Sequence, residues 1–157
     1  MVDYIKKNYP NFPYPQTVEC LNLLLRKEYG KQIISGKKKV EWRDFSEHYY
    51  NRLIDKKLLN FLVNHKNDEK LLELYPTAIR PVKKIHFHNY NETWWIDVKV
   101  KDNNIVQITD KGIKILHEKY GIYDVDEENE KAKKDGNDWF PIYFFFILEE
   151  IIEKHNI

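Results

Sequence analysis

Two hydrophobic rhythms alternate along this chain, and each change of rhythm marks a change of element. Residues 1–19 follow neither: Pro10, Pro13 and Pro15 stand among Tyr4, Tyr9, Phe12 and Tyr14. Prolines interrupt a helix, so this segment is expected to be an extended arm with its aromatics docked on the surface. Leu21-Asn22-Leu23-Leu24-Leu25 is a short apolar run of the kind that forms a buried strand. Arg26 to Ser35 then places Tyr29 and Ile33 four apart, on one face of a short helix. Gly36 follows as a stop that tolerates positive φ. From Val40 the period is two. Val40 and Trp42 point one way, and Lys39, Glu41 and Arg43 point the other.

Residues 46–75 return to helical spacing, with Ser46 as N-cap and Leu53, Ile54, Leu58, Phe61 and Leu62 forming one apolar stripe. A further short helix is expected from Asn67-Asp68 to Tyr75, closed by Pro76. Beyond Pro81 the texture is that of strands. Ile85, Phe87 and Asn89 alternate with Lys84, His86 and His88, and Trp94, Ile96, Val98 and Val100 alternate with Trp95, Asp97, Lys99 and Lys101. Asp102-Asn103-Asn104 reads as a hairpin turn, with Ile105 to Thr109 as the returning strand. Asp110 to Tyr120 reads as a short helix or loop ending at Gly121, and residues 124–138 as a charged surface segment. Phe140 to Leu148 is continuously apolar, a strand buried on both faces, and Glu149 to Ile157 is a tail with a last helical turn. The period-two positions Val40, Trp42, Trp94, Ile96, Val98 and Phe144 are expected to share one core. The sum is an α+β domain: a small, mostly antiparallel β-barrel flanked by helices.

Composition narrows the class. The chain has 157 residues, of which 42% are hydrophobic and 15% aromatic. That supports one folded domain, residues 20–157, behind the arm. The formal net charge of +1 gives no global attraction to nucleic acid. The charge is unevenly placed, however. Residues 26–43 hold seven basic and two acidic side chains, and residues 118–138 hold four lysines and eight acids. One side of the domain is therefore expected to face anions. Cys20 is the only cysteine, which excludes an internal disulfide and a cysteine-based zinc site. No apolar leader and no run long enough to span a bilayer is evident. A cytoplasmic protein without a membrane partner is the expectation.

The candidate chemistry centres on Gly36-Lys37-Lys38-Lys39-Val40-Glu41-Trp42-Arg43. A cation, an anion and a second cation on one strand face can hold a phosphate or a polarised base edge, with the carboxylate fixing the arginine. The same charges also describe a solvated strand face with weak pairing. Gly36, Lys38, Glu41 and Arg43 match G-x-K-x-x-E-x-R, and residues 20–53 resemble the ASCH domain family of the PUA-like superfamily. The resemblance implies a PUA-like barrel and a cleft, between barrel and early helices, in which Lys38, Glu41 and Arg43 meet an RNA or nucleotide-like ligand. Arg52 matches an arginine of related sequences and is a candidate backbone contact, as is Arg80. Trp42, Tyr49, Tyr50 and Trp95 are candidates for stacking on a base. Trp95 is preferred, because alternation turns it away from the core face.

Some ASCH-like proteins are amidohydrolases acting on acylated cytidine, and others are linked to RNA cleavage. The resemblance to the amidohydrolases includes Lys38, but they carry a threonine nucleophile where this chain has Glu41. A carboxylate cannot act as that hydroxyl nucleophile. If the chain is an enzyme, Lys38 and Glu41 are its acid–base pair. A third reading is a protein-interaction module using the aromatic arm or the apolar C-terminal stretch. His86 and His88 share one strand face, a spacing open to a metal. A third ligand, His117 or Asp97, would have to converge from elsewhere, so no metal is expected. No cofactor-binding motif is present.

Overall fold

The computed structural model describes residues 2–136 and 140–157. It is an α+β fold in which a five-stranded sheet curls into a half-barrel with helices packed on it. The strands are β1 (Leu21–Leu24), β2 (Val40–Asp44), β3 (Lys84–His88), β4 (Trp95–Gln107) and β5 (Ile142–His155), in the spatial order β1-β3-β4-β5-β2. Only β1 and β3 run parallel; the other pairings are antiparallel. The sheet is thus mixed, and β1 and β2 are left as its two edges.

Helices α1 (Val2–Asn8), α2 (Lys27–Ile34), α3 (Glu47–Leu53), α4 (Lys56–Asn64) and α5 (Glu69–Leu74) are short. The expected N-cap at Ser46 accepts from Tyr49 N, and Asp68 caps α5 by accepting from Leu71 N. The helical stretch 46–75 is broken once more than its stripe suggests. Asp55 accepts from Leu58 N and starts α4 afresh, and Ile54 bridges to Ile79 instead of continuing α3. The arm differs from expectation at its start. Residues 2–8 complete two turns of helix before Pro10, so the prolines never interrupt it. Its aromatics dock as expected. Ile5 and Phe12 are buried, and the Tyr4 and Tyr9 hydroxyls donate to Asp68. Those bonds push the Tyr9 phenol up to about 12 and hold the Asp68 carboxyl below its usual range.

Asp102-Asn103-Asn104 does not turn. Strand β4 runs straight through it, with register shifts against β5 between residues 97 and 102 that bend the strand. The polar side chains that suggest a turn serve this bend. Asn103 is buried, accepting from Val82 N and donating to Arg80 O, so it satisfies the backbone of the incoming segment. The C-terminal tail is not helical either. It prolongs β5 to His155, paired with β4 as far as Trp95.

Phe144, Phe145 and Phe146 are all buried, as a doubly covered strand requires. They face opposite ways. Phe144 and Phe146 join Leu21, Leu23, Ile85, Phe87, Ile96 and Val98 under the helices α1–α5. Phe145 joins Val40, Val106 and Leu116 in a second core on the other face. This second core is covered by α6 (Asp110–Ile115) and the π-helical segment Leu116–Tyr120, which Gly121 ends at φ +65°. The expected single core is therefore split. Trp94, Ile96, Val98 and Phe144 lie in the first core, whereas Val40 and the half-buried Trp42 belong to the second. The charged segment forms α7 (Asp126–Lys134), with Asn129 and Ala132 turned inward; its expected last residues, 137 and 138, lie outside the described residues. Among the described residues no helix is long and apolar enough to cross a membrane.

Candidate ligand-binding cleft

Strand β2 carries its charges on the side facing the main core. Glu41 and Arg43 stand opposite Phe146 and Phe144 in the β5 register, while Val40 and Trp42 face the second core. The alternation read from sequence is correct, but its charged side is the covered one: Glu41 is only 4% exposed. Lys38 precedes the strand and escapes the alternation. Gly36, at φ +80°, reverses the chain after α2, and Lys38 N donates to Gln32 O. That places the Lys38 ammonium 3.4 Å from Glu41 Oε1.

Glu41 is held from several directions. Its Oε1 also accepts from Trp42 N at 3.0 Å, and its Oε2 accepts from Arg43 Nη2 at 3.2 Å. Arg43 reaches further. Nη2 also donates to Leu24 O at 2.8 Å, and Nη1 donates to the Tyr49 hydroxyl at 3.2 Å. One guanidinium thus ties the edge strand β2 to the edge strand β1 and to α3. It spans the gap where the half-barrel stays open.

That gap is a cleft of about 430 Å³, lined by Tyr29, Lys38, Glu41, Trp42, Arg43 and Tyr49 among others. Lys38 contributes its ammonium, paired with Glu41 and with the Tyr29 ring centroid 5.7 Å away. Arg43 keeps only its Nε–H and one Nη1–H clear of the bonds described. The cleft can therefore offer one cation held by a single ion pair, one held by several hydrogen bonds, a buried carboxylate and tyrosine faces. Tyr29 is the cleft residue that sequence reasoning read only as helix packing. The signal was present, since an aromatic one helix before a lysine-rich glycine turn falls beside those lysines.

Two predicted partners lie elsewhere. Trp95 does not line the cleft. It projects from β4 on the side of the sheet away from the main core, over a stretch that the second core does not reach, here called the bare face. Its ring is stacked 5.7 Å from His155 and tilted 5.5 Å from His86. Alternation correctly turns it off the core but cannot say which strands flank β2, and β5 intervenes between β4 and β2. Arg52 sits one turn beyond Tyr49 on α3 and is not among the cleft-lining residues; its carbonyl accepts from Arg80 Nη1. Arg80 is a brace, bonding Gln16 O and Arg52 O to hold the arm against α3. Tyr50 packs on Phe45.

On the bare face His86 lies between two carboxylates, with Nδ1 2.5 Å from Asp97 and Nε2 2.5 Å from Glu92. Burial opposes the charged imidazole, but the bonds to Glu92 and Asp97 prevail and raise its pKa. His117 pairs instead with Asp126. Among the described residues no group of three or more His, Cys, Asp or Glu side chains could hold a metal ion. No family model, curated protein or solved structure matches this chain.

Proposed function

We propose that this protein is an ASCH-type, PUA-like domain that binds RNA or a nucleotide-like ligand in the cleft between β1 and β2. The observation that carries this reading is a buried Glu41 clamped by Lys38 and Arg43 at the mouth of an open, tyrosine-lined cleft. A solvated strand face would not bury the carboxylate. In the cleft, Lys38 is the side chain suited to a phosphate, because a lysine acts as a point charge on a flexible stem. Tyr29 and Tyr49 supply faces on which a base can stack, and stacking tolerates any base. Glu41 can accept from an exocyclic amine. Arg43 fixes the geometry and keeps one edge for the ligand.

The contact between Lys38 and Glu41 also favours a second reading, hydrolysis of a modified nucleoside or RNA by that pair. The interaction-module reading has less to stand on. The apolar side chains of the arm and of residues 140–157 are mostly spent inside the fold, and among the described residues Tyr14 and Ile152 are the large ones left half exposed.

The test is binding of short RNAs and free nucleotides over a salt series, with melting checked for each variant. Lys38→Ala should weaken binding to all sequences alike and lower the salt slope by about one phosphate contact. Glu41→Gln should shift base preference more than affinity. A folded Lys38→Ala protein that binds as wild type does would remove the cleft as the ligand site. Turnover of an acylated nucleoside that Glu41→Gln abolishes would favour the second reading.

A further inference from the structure

Behind the sheet, on the face opposite the cleft, α6 and the π-helical segment leave a cavity of about 360 Å³ against β4 and β5. Its size and mostly apolar walls suit a small molecule. Ile105, Val106, Ile115 and Phe145 supply apolar surface. Gly112 lets α6 approach this closely, since a Cβ there would lie 1.9 Å from the Gln107 carbonyl oxygen. The π-helical segment ends on Lys119 and Tyr120, both lining the cavity. Segments of π-helix recur at functional sites.

Around Asn104 the hydrogen-bonding groups left over are mainly donors. Asn104 Oδ1 accepts from Thr77 Oγ1 at 2.8 Å and from Ile105 N at 2.9 Å, which fills both its lone pairs. Asn104 Nδ2 lies 3.4 Å from the Tyr120 hydroxyl and keeps a second N–H. Tyr120, accepting that bond, has its own O–H to give. Lys111 and Lys119, both exposed, are lining residues, and the Lys119 ammonium lies 5.3 Å from the Tyr120 ring centroid. Thr109 Oγ1 is occupied by Gly112 N, and Gln107 is exposed. A ligand satisfied here has an apolar body and a head that only accepts hydrogen bonds and carries negative charge.

We propose that this cavity binds an aromatic carboxylate of one or two rings. The body packs on Phe145 and the aliphatic wall. The carboxylate accepts from Tyr120 and Asn104 and pairs with Lys111 and Lys119. This site is separate from the cleft and does not depend on the reading given to it.

Calorimetric titration with benzoate, naphthoate and neutral naphthamide tests it, alongside amide chemical shifts. Naphthoate should bind about tenfold tighter than naphthamide, as expected for a charge-assisted head group. The double variant Lys111→Ala/Lys119→Ala, altered only at exposed positions, should erase that preference. Tyr120→Phe should weaken naphthoate more than naphthamide. The shifts should concentrate at Gly112 N–H and the Asn104 side-chain amide. Equal affinity for acid and amide, shifts centred on Tyr29 and Tyr49, or no binding of either acid at millimolar concentration would each overturn the proposal.

Discussion

Two charged clusters on this sheet use similar side chains in opposite arrangements. In the cleft one carboxylate, Glu41, lies between two cations, Lys38 and Arg43. On the bare face one imidazole, His86, lies between two carboxylates, Glu92 and Asp97. The central group is covered far more deeply in the first cluster, where the Glu41 side chain is 6% exposed against 20% for His86. Removing a carboxylate from water costs several kcal/mol unless its oxygens are filled, and here they are filled by Lys38, Arg43 and a backbone N–H. The His86 cluster stays close to water, where a charge can come and go without breaking the fold. Depth therefore separates a buried ionic clamp from a cluster near the surface.

The largest break in this comparison should come from Arg43→Met. The substitution keeps an unbranched apolar stem that ends about where the arginine Nε lies, and it removes the bonds to Glu41, Leu24 O and Tyr49 at once. Glu41 would remain buried with a single cation. A loss of about 3–5 kcal/mol in denaturant unfolding is expected, as for other buried pairs cut on one side. A loss below about 1 kcal/mol would mean that water reaches Glu41 and that the clamp does not brace the half-barrel.

Lys38→Ala sharpens the same point from the other side. Lys38 meets Glu41 at 3.4 Å and makes no contact comparable to the Arg43 bridge to β1. Its loss should cost about 1 kcal/mol in the same unfolding measurement. A cost equal to that of Arg43→Met would show that both cations are structural, and would leave the cleft without a cation free for a ligand.

The sequence makes one half of this comparison legible and hides the other. Period-two spacing correctly places Glu41 and Arg43 on one face and Val40 and Trp42 on the other. It does not reveal that α2 and α3 cover the charged face, because the cover is set by strand order and not by local pattern. The same blindness misplaces Trp95, whose orientation is right and whose neighbourhood is wrong. Asp102-Asn103-Asn104 misleads for a different reason. Asparagines that favour turns do so by bonding nearby backbone, and inside a bent strand they do the same work without reversing the chain. Capping residues, by contrast, act within a turn of themselves, so Ser46 is read correctly as an N-cap from sequence alone, and the helix start at Asn67-Asp68 is placed correctly without its cap being named.

The smallest expected effect belongs to the bare face, and it is a dependence on pH. An imidazole whose pKa is raised on folding holds its proton more tightly in the folded protein. The His86 cluster therefore stabilises fully below the unfolded histidine value, about 6.5, and that contribution is lost as pH rises through the raised folded value. Glu92 acts in the opposite sense. Its bond to His86 lowers its pKa, so its share is present above the unfolded carboxyl range and lost on acidification. The cluster should help most in mildly acidic solution. Wild type should lose stability as pH rises above about 6.5 relative to His86→Gln, which keeps a polar side chain on β3 but cannot titrate. Parallel stability curves for the two proteins across that range would show that the carboxylates leave the imidazole unperturbed, and that the pairing seen around His86 contributes nothing that depends on its proton.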